Sequence, residues 1–434
     1  MKKNSSLGKF YLALVIFSLV GQVAWVVENM YLNVFIYKMF HATAEQISLM
    51  VAASAVTATV TTLLIGALSD KLGRRKVFIC AGYILWGLSI FAFGLIRAEL
   101  VNNLFFPTVA VGSAAMSLCI TLTIVLDCVM TFFGSSANDA AFNAWLTDST
   151  DETNRGAAEG INAMMPLMAI LVVFGGFMGM DQSKEADWTL IFSIIGGVVT
   201  VLGIAGFFLI KENTVKIPEN QNYFANIFYG FRPSVMKANK RLYVTLILLA
   251  LFNISIQIFM PYLILYYTET LGLTDYVLIF APAIILSAAF TAVYGRVYDK
   301  HGFKTAIFPV LGLLMAGYVV LFFVRNTALV FAGSLLLLCG FIGTGAIIGA
   351  LIRDCTPKNK AGMFQGLRIV GQVLIPGVVG PAIGAAVLKN ADTVTNTDGT
   401  TSFIPNENIF LAAFIAAIAA WLILIPLLKL LKKK

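Results

Sequence analysis

GALSDKLGRRK, Gly66 to Lys76, lies between two long apolar runs and places Asp70, Lys71, Arg74, Arg75 and Lys76 where a hydrophobic helix must turn and come back. A second stretch, GRVYDKHGFKT, Gly295 to Thr305, repeats it: Gly66, Asp70, Lys71 and Gly73 recur as Gly295, Asp299, Lys300 and Gly302, all at an offset of 229 residues. Glycine lets two helix ends approach closely, the aspartate can face a helix dipole or a neighbouring Arg, and the cations hold the turn on the cytoplasmic side. Gly66, Asp70, Arg74, Arg75, Gly295 and Asp299 are therefore expected to latch the cytoplasmic ends of the helices. Asp148, Thr150, Gly156 and Gly160 recur in the same way as Asp354, Thr356, Gly362 and Gly366, at an offset of 206. The chain reads as two halves built alike, with 23 extra residues in the first half before the end of helix 4. ELVNNLFFPTVAVGSAAM is expected to supply most of them, as an outward extension or a lengthened helix 4.

Of the 434 residues 59% are hydrophobic and 12% charged, with a mean hydropathy of +0.87. That is a membrane composition. MKKNSSLGKF resembles the charged start of a signal peptide, but no small-residue cleavage site precedes the next loop, so the apolar run after it is read as a retained helix 1. Spans are expected at about Phe10 to Tyr37, Gln46 to Ser69 and Val77 to Leu95, then in a long stretch closing near Thr147, then at Ala158 to Met180 and Leu190 to Ile210. After a polar stretch come Leu242 to Tyr267, Tyr276 to Tyr298, Ala306 to Val324, Leu329 to Ile352, Met363 to Leu388 and Ile409 to Leu428. Each is long enough to cross a hydrocarbon core of roughly 30 Å at about 1.5 Å per residue. The expected architecture is all-α: twelve transmembrane helices in two six-helix, pseudo-symmetric halves. Residues 1–210 form the first half, 211–240 a cytoplasmic central loop and 241–434 the second half.

Twenty-four of the 30 Lys and Arg fall on the face shared by both termini, and only Lys38, Arg97, Lys184, Arg325 and Lys389 fall opposite, with Arg368 inside helix 11. Both termini are expected in the cytoplasm, with the protein in the plasma membrane. The net charge of +8 arises from these helix ends and points to a lipid bilayer rather than nucleic acid. Five scattered cysteines and two loop histidines offer no disulfide framework and no metal spacing. No metal, no cofactor and no enzymatic activity are expected, since no nucleotide loop or catalytic triad is visible either.

Four charged residues fall inside apolar runs: Glu28, Asp127, Asp139 and Arg368. A charge at the centre of a membrane helix costs roughly 2.5 to 3.5 kcal/mol on insertion scales, so such residues mark sites. Glu28 shares a broad face of helix 1 with Gln22, Trp25, Asn29 and Asn33. In helix 4, Asp127, Thr131, Ser135 and Asp139 recur every fourth residue as one polar stripe, extended by Asn138 and Asn143, with a bend possible at Gly134 to Ser136. A carboxyl away from water takes up a proton readily and releases it when water arrives, which is what a proton-coupled carrier needs. Asn253 and Gln257 sit one turn apart on helix 7 before Pro261, and Arg368 and Gln372 one turn apart on helix 11. Gly377, Gly380 and Gly384 share a face of helix 11 suited to close packing.

The loop at Gly66 to Lys76 and its second copy resemble the motif between helices 2 and 3 of the major facilitator superfamily, with Phe303 where the family prefers Arg. That resemblance implies a site at the midplane between two like-oriented bundles, with alternating access. Helix 4, running from Asp139 through FNAW to Thr147, Asp148, Thr150 and Arg155, resembles the glycoside, pentoside and hexuronide cation symporters, to which melibiose permease belongs. There the helix 4 aspartate binds sugar, which implies that role for Asp139, and the helix 7 asparagine matches Asn253. The symporters' helix 1 sugar-binding aspartate falls at Gln22, and helix 2 here has no acidic residue between Gln46 and Ser69, so protons rather than sodium are the expected coupling ion.

The expectation is a monomeric secondary carrier moving a small polar solute, a sugar or glycoside, with protons. Glu28 and Asp139 would couple and bind hydroxyls, and Asn29, Asn33, Asn143, Asn253 and Gln257 would orient the solute. Trp25 offers it a ring face. The rival readings are a proton-coupled exporter of drugs or other lipophilic compounds, and a non-transporting sensor on the same fold.

Overall fold

The computed structural model describes residues 2–108, 112–150, 154–212, 228–357, 361–396 and 399–432. Among them, eleven helical stretches are long and apolar enough to cross a membrane. One of the eleven, Val277–Phe323, is two helices in one: at Gly302 the backbone turns to φ 77° and ψ 176°, which ends one helix and begins the next. A side chain is strained at such a φ, so the repeated glycine of the loop motif has a backbone cause. Gly73, its counterpart in the first copy, sits at φ 61°. Twelve membrane-length helices result among the described residues.

Helices 1 to 6 span Gly8–Phe40, Ala44–Ser69, Arg75–Phe93, Ser113–Asp148, Ala157–Phe177 and Glu185–Leu209. Helix 7 spans Lys240–Thr270, helices 8 and 9 are the two arms of Val277–Phe323, and helices 10 to 12 span Thr327–Cys355, Gly366–Leu388 and Asn408–Lys432. Before helix 4 lies a short helix at Ala98–Phe105, and helix 4 itself runs for 36 residues. An antiparallel pair of short strands, Thr393–Thr395 with Thr401–Phe403, joins helices 11 and 12. Nothing in the threonine-rich sequence there singled them out.

The chain forms two compact units, Met1–Ala42 with Val56–Ala225 and Asn396–Thr400, and Thr43–Ala55 with Asn226–Thr395 and Thr401–Lys434. In the first unit, helix 3 lies directly on helix 6. A Cβ on Gly87 would stand 2.5 Å from the nitrogen of Thr200, and one on Gly203 2.6 Å from the nitrogen of Ile84. Absent side chains thus let two backbones touch. Arg97 closes one end of this pair on Glu185 at 3.0 Å. The second unit repeats the device, with Arg325 after helix 9 on Glu407 before helix 12 at 2.9 Å. Helix 11 packs on helix 7 through Gly380, where a Cβ would stand 2.5 Å from that of Gln257, and through Gly384 against Tyr262. Gly377 faces Ala55, so this glycine face packs helices together.

Gly203→Leu should destabilise the purified protein by about 1 to 3 kcal/mol through overpacking. Gly197→Leu, where a Cβ meets nothing within 4 Å, should leave the thermal midpoint unchanged. Equal midpoints for the two variants would mean that the helix 3 to helix 6 contact is not as close as described.

Candidate functional site

Four of the helices leave α-helical geometry, at Val27–Tyr31 in helix 1, Ser135–Phe142 in helix 4, Tyr266–Thr270 in helix 7 and Val370–Leu374 in helix 11. Each widens into a π-helical turn. Wide turns of this kind recur where a helix must re-aim its side chains. Glu28, Asn29, Asp139 and Gln372 all sit in them.

In the first unit, Glu28 is 6% exposed and accepts a hydrogen bond from the Thr131 hydroxyl at 3.0 Å, which ties helix 1 to helix 4. Asp127 lies one turn before Thr131, is 2% exposed, and is near enough to Glu28 for each carboxyl to feel the other's charge. Its Oδ1 has no hydrogen-bond partner among the described residues. Asn33 is fully buried, with its amide nitrogen on the Asn29 carbonyl at 2.8 Å, while the Asn29 amide turns back to the Trp25 carbonyl at 2.8 Å. Trp25 meets Trp86 of helix 3 with ring centroids 5.0 Å apart. Gly134 makes room for both: a Cβ there would stand 2.7 Å from Trp86 and 3.0 Å from Trp25.

Asp139 is held by the Ser135 hydroxyl at 3.0 Å and by the Asn138 amide at 3.5 Å. Asn138 also accepts from the Tyr83 hydroxyl at 3.0 Å, which ties helix 4 to helix 3. Asn143 is exposed and donates to the Asp139 carbonyl at 3.1 Å. Both asparagines thus bond to Asp139. Tyr83, which also donates to the Phe17 carbonyl at 2.8 Å, was not singled out in the sequence, where a lone Tyr in an apolar run carries no signal. A separate hollow of about 440 Å³ along helix 4, lined by Ile124, Val129, Phe132 and Phe133 among others, has no polar lining residue. Acyl chains suit it better than hydroxyls.

In the second unit, Asn253 is half-buried and donates to the Leu249 carbonyl at 3.0 Å. Gln257, also half-buried, lies where helix 11 comes closest to helix 7. Just beyond it, Pro261 lies in the 3-10 turn Met260–Tyr262, as its missing N–H leads one to expect. Arg368 donates from Nε to Gln372 Oε1 at 3.2 Å.

The loop motif is built differently from its expected form. Arg75 is 4% exposed and donates to Ser69 Oγ at 2.7 Å and to Asp148 Oδ2 at 3.1 Å. It therefore ties the end of helix 2 and the start of helix 3 to the end of helix 4, inside one unit. In the second unit Tyr298, at the register position of Ser69, donates to Asp354, the counterpart of Asp148. Thus the two repeats found separately in the sequence meet in space. Gly66 and Gly295 have nothing within 4 Å of a Cβ position, so close helix approach is not their role. Arg74 and Asp299 are exposed, and the Asp70 side chain lies outside the described residues. Much of the expected central loop, residues 213–227, also lies outside them.

The family model of the Major Facilitator Superfamily matches residues 10–381. The chain belongs to that superfamily and is a membrane transport protein, not an enzyme. No curated protein matches it in sequence. Among solved structures, a D-xylose-proton symporter is similar with a TM-score of 0.70 at 14% identity, over 95% of this chain and 97% of that one. The nucleoside transporter NupG is similar with a TM-score of 0.65 at 14% identity, over 98% and 99%. A bacterial homologue of the human lysosomal transporter Spinster, in an inward-facing occupied conformation, has a TM-score of 0.69 at 15% identity, over 96% of each chain. At these identities the likeness is one of fold.

Breaking the Arg75–Asp148 pair should leave a buried charge unmatched. Arg75→Gln should cost about 3 kcal/mol, the low end for a buried pair, because the Asp148 side chain keeps 25% exposure. The double variant with Asp148→Asn should recover part of that loss in a thermal unfolding cycle. Additive losses would show that the two groups do not interact.

Proposed function

We propose that this transporter is a secondary carrier for a small polar solute, a sugar or glycoside, moved together with protons by alternating access. One observation carries the reading: three carboxyls, Glu28, Asp127 and Asp139, stand on helices 1 and 4 of one unit, Glu28 and Asp139 with hydroxyl and amide partners and Asp127 buried. A purely structural helix pair does not need carboxyls there, at an insertion cost of roughly 2.5 to 3.5 kcal/mol each. Glu28, Asp127 and Thr131 form the proton-carrying element. Asp139, with Ser135 beside it, is the hydroxyl acceptor, and Trp25 supplies the ring face on which sugar C–H groups stack. Asn29, Asn33 and Asn143 support that side. Asn253, Gln257, Arg368 and Gln372 are the second unit's candidates for binding solute. Arg74, Arg75, Asp70 and Asp299 act at the cytoplasmic ends, with both termini in the cytoplasm.

Two features support sugar and proton over other pairings. The similar folds include one named for D-xylose and proton symport and one for nucleosides. Helix 2 lacks acidic residues between Gln46 and Ser69, which leaves sodium without the carboxylates that symporters of the melibiose permease type place there. The finer assignment, to the glycoside, pentoside and hexuronide branch, rests on Asp139, the FNAW segment after it and Asn253.

Reconstituted protein tests this reading. Glu28→Gln should abolish accumulation driven by an imposed pH gradient while leaving solute exchange intact. Asp139→Asn should weaken solute binding by about 10- to 100-fold, the worth of one hydrogen bond to a charged group. Unchanged pH-driven accumulation in both variants removes these carboxyls from the mechanism. Transport of lipophilic cations with no response to any sugar would favour the exporter reading instead.

A further inference from the structure

A hollow of about 560 Å³ in the second unit lies where three membrane-crossing stretches end together. Lys240 and Arg241 begin helix 7, Asp354 and Cys355 close helix 10, and Leu430 and Leu431 stand at the end of helix 12. Its position is therefore the headgroup level of a bilayer. Lys237 joins Lys240 and Arg241 on its wall, three cations against the single carboxylate of Asp354, while Leu242, Leu351 and Leu430 supply apolar surface.

The wall is shaped before any ligand arrives. Lys237 ends the short helix Pro233–Ala238, Asn239 breaks it at φ −118° and ψ 38°, and Lys240 starts the next helix at once. The Asn239 amide bonds the Val235 carbonyl at 2.9 Å, which fixes the break. Arg241 is engaged with the Leu430 carbonyl at 3.1 Å, a bond that offsets the negative end of helix 12. Asp354 is engaged by Tyr298. Lys237 and Lys240, both exposed, are left to face a ligand.

From this juxtaposition of cations, apolar floor and helix ends we infer that the hollow binds the phosphodiester headgroup of an anionic glycerophospholipid. The lysines take the phosphate and the leucines take the glycerol and first acyl carbons. Basic hollows between membrane helices suit such headgroups, and each cation near an anionic surface contributes about fivefold in affinity. The inference is independent of which solute the carrier moves.

Native mass spectrometry of the purified full chain, titrated with phosphatidylglycerol or phosphatidylcholine, tests it. Wild type should retain phosphatidylglycerol in preference to phosphatidylcholine. Lys237→Gln with Lys240→Gln should lower phosphatidylglycerol retention on the order of twentyfold, whereas the same charge change at Lys429 and Lys432, outside the hollow, should stay within about twofold of wild type. Lys237→Arg with Lys240→Arg should keep the lipid, which separates loss of charge from loss of fold. Equal losses in the two glutamine pairs, or unchanged retention in the first, would overturn the inference. Displacement of the lipid by millimolar inorganic phosphate would also overturn it, in favour of a free-phosphate site.

Discussion

Placing a carboxyl among membrane helices is the cost on which the rest of this structure turns. Each such group forfeits roughly 2.5 to 3.5 kcal/mol on insertion scales unless the bundle supplies what water did. Here the supply is local. Thr131 gives Glu28 its hydroxyl, and Ser135 and Asn138 give Asp139 a hydroxyl and an amide. Those donors come from helix 4 itself, so the same helix that brings two of the carboxyls also carries much of what shelters them. Helix 1 and helix 4 are thereby joined through polar contacts, while helix 3 and helix 6 are joined through glycines at Gly87, Gly196 and Gly203. A carrier needs both kinds of contact: close, apolar packing that holds a bundle rigid, and a polar seam that a solute or proton can rework.

Charge at the helix ends obeys a related rule. Of the five cations that the sequence leads one to expect on the face opposite the termini, Arg97 pairs with Glu185, Lys184 with Asp181 and Arg325 with Glu407. Pairing neutralises cations that run against the topological bias. Two of those pairs occupy matching places, one after helix 3 and one after helix 9, reaching helix 6 and helix 12. Arg75 is the exception on the crowded face, since it is buried and paired where its neighbours Lys71 and Arg74 remain exposed. Its burial sets Arg75 apart from the other cations of the run.

The fold was legible because hydrophobic length and a repeated loop are properties of the chain itself. Span length, the offset of 229 and the positive-charge bias each depend on sequence alone, and Gly73 and Gly302 had to be glycine for the backbone that turns there. The features that escaped were set by neighbours distant in sequence. The partner of Arg75 is 73 residues away. Tyr83 gains its meaning only from Asn138 and Phe17, and Gly134 from two tryptophans on other helices. Fourfold spacing assumes an unbroken α-helix, and it could not show that Asn138, inside a π-helical segment, meets Tyr83.

The wide turns account for that failure. A π turn contains one residue more than the pattern of an α-helix allows, so every side chain beyond it is rotated by roughly 100° relative to an unbroken helix. In helix 4 the segment Ser135–Phe142 lies between Asp127 and Asp148. The angle between the buried Asp127 and the carboxyl that anchors Arg75 is therefore not the one that a strict 3.6-residue period over 21 positions would set. An extra residue in a helix also weakens its hydrogen-bond ladder at one place, so any change in length or bend during a transport cycle would be taken up there first. Helices 1, 7 and 11 carry the same irregularity. Three of the four wide turns hold a charged or amide side chain considered for solute or proton, at Glu28, Asp139 and Gln372. A helix bundle gains adjustable points without surrendering its apolar exterior when the irregular backbone sits beside the polar groups, because those groups can satisfy what the ladder leaves open.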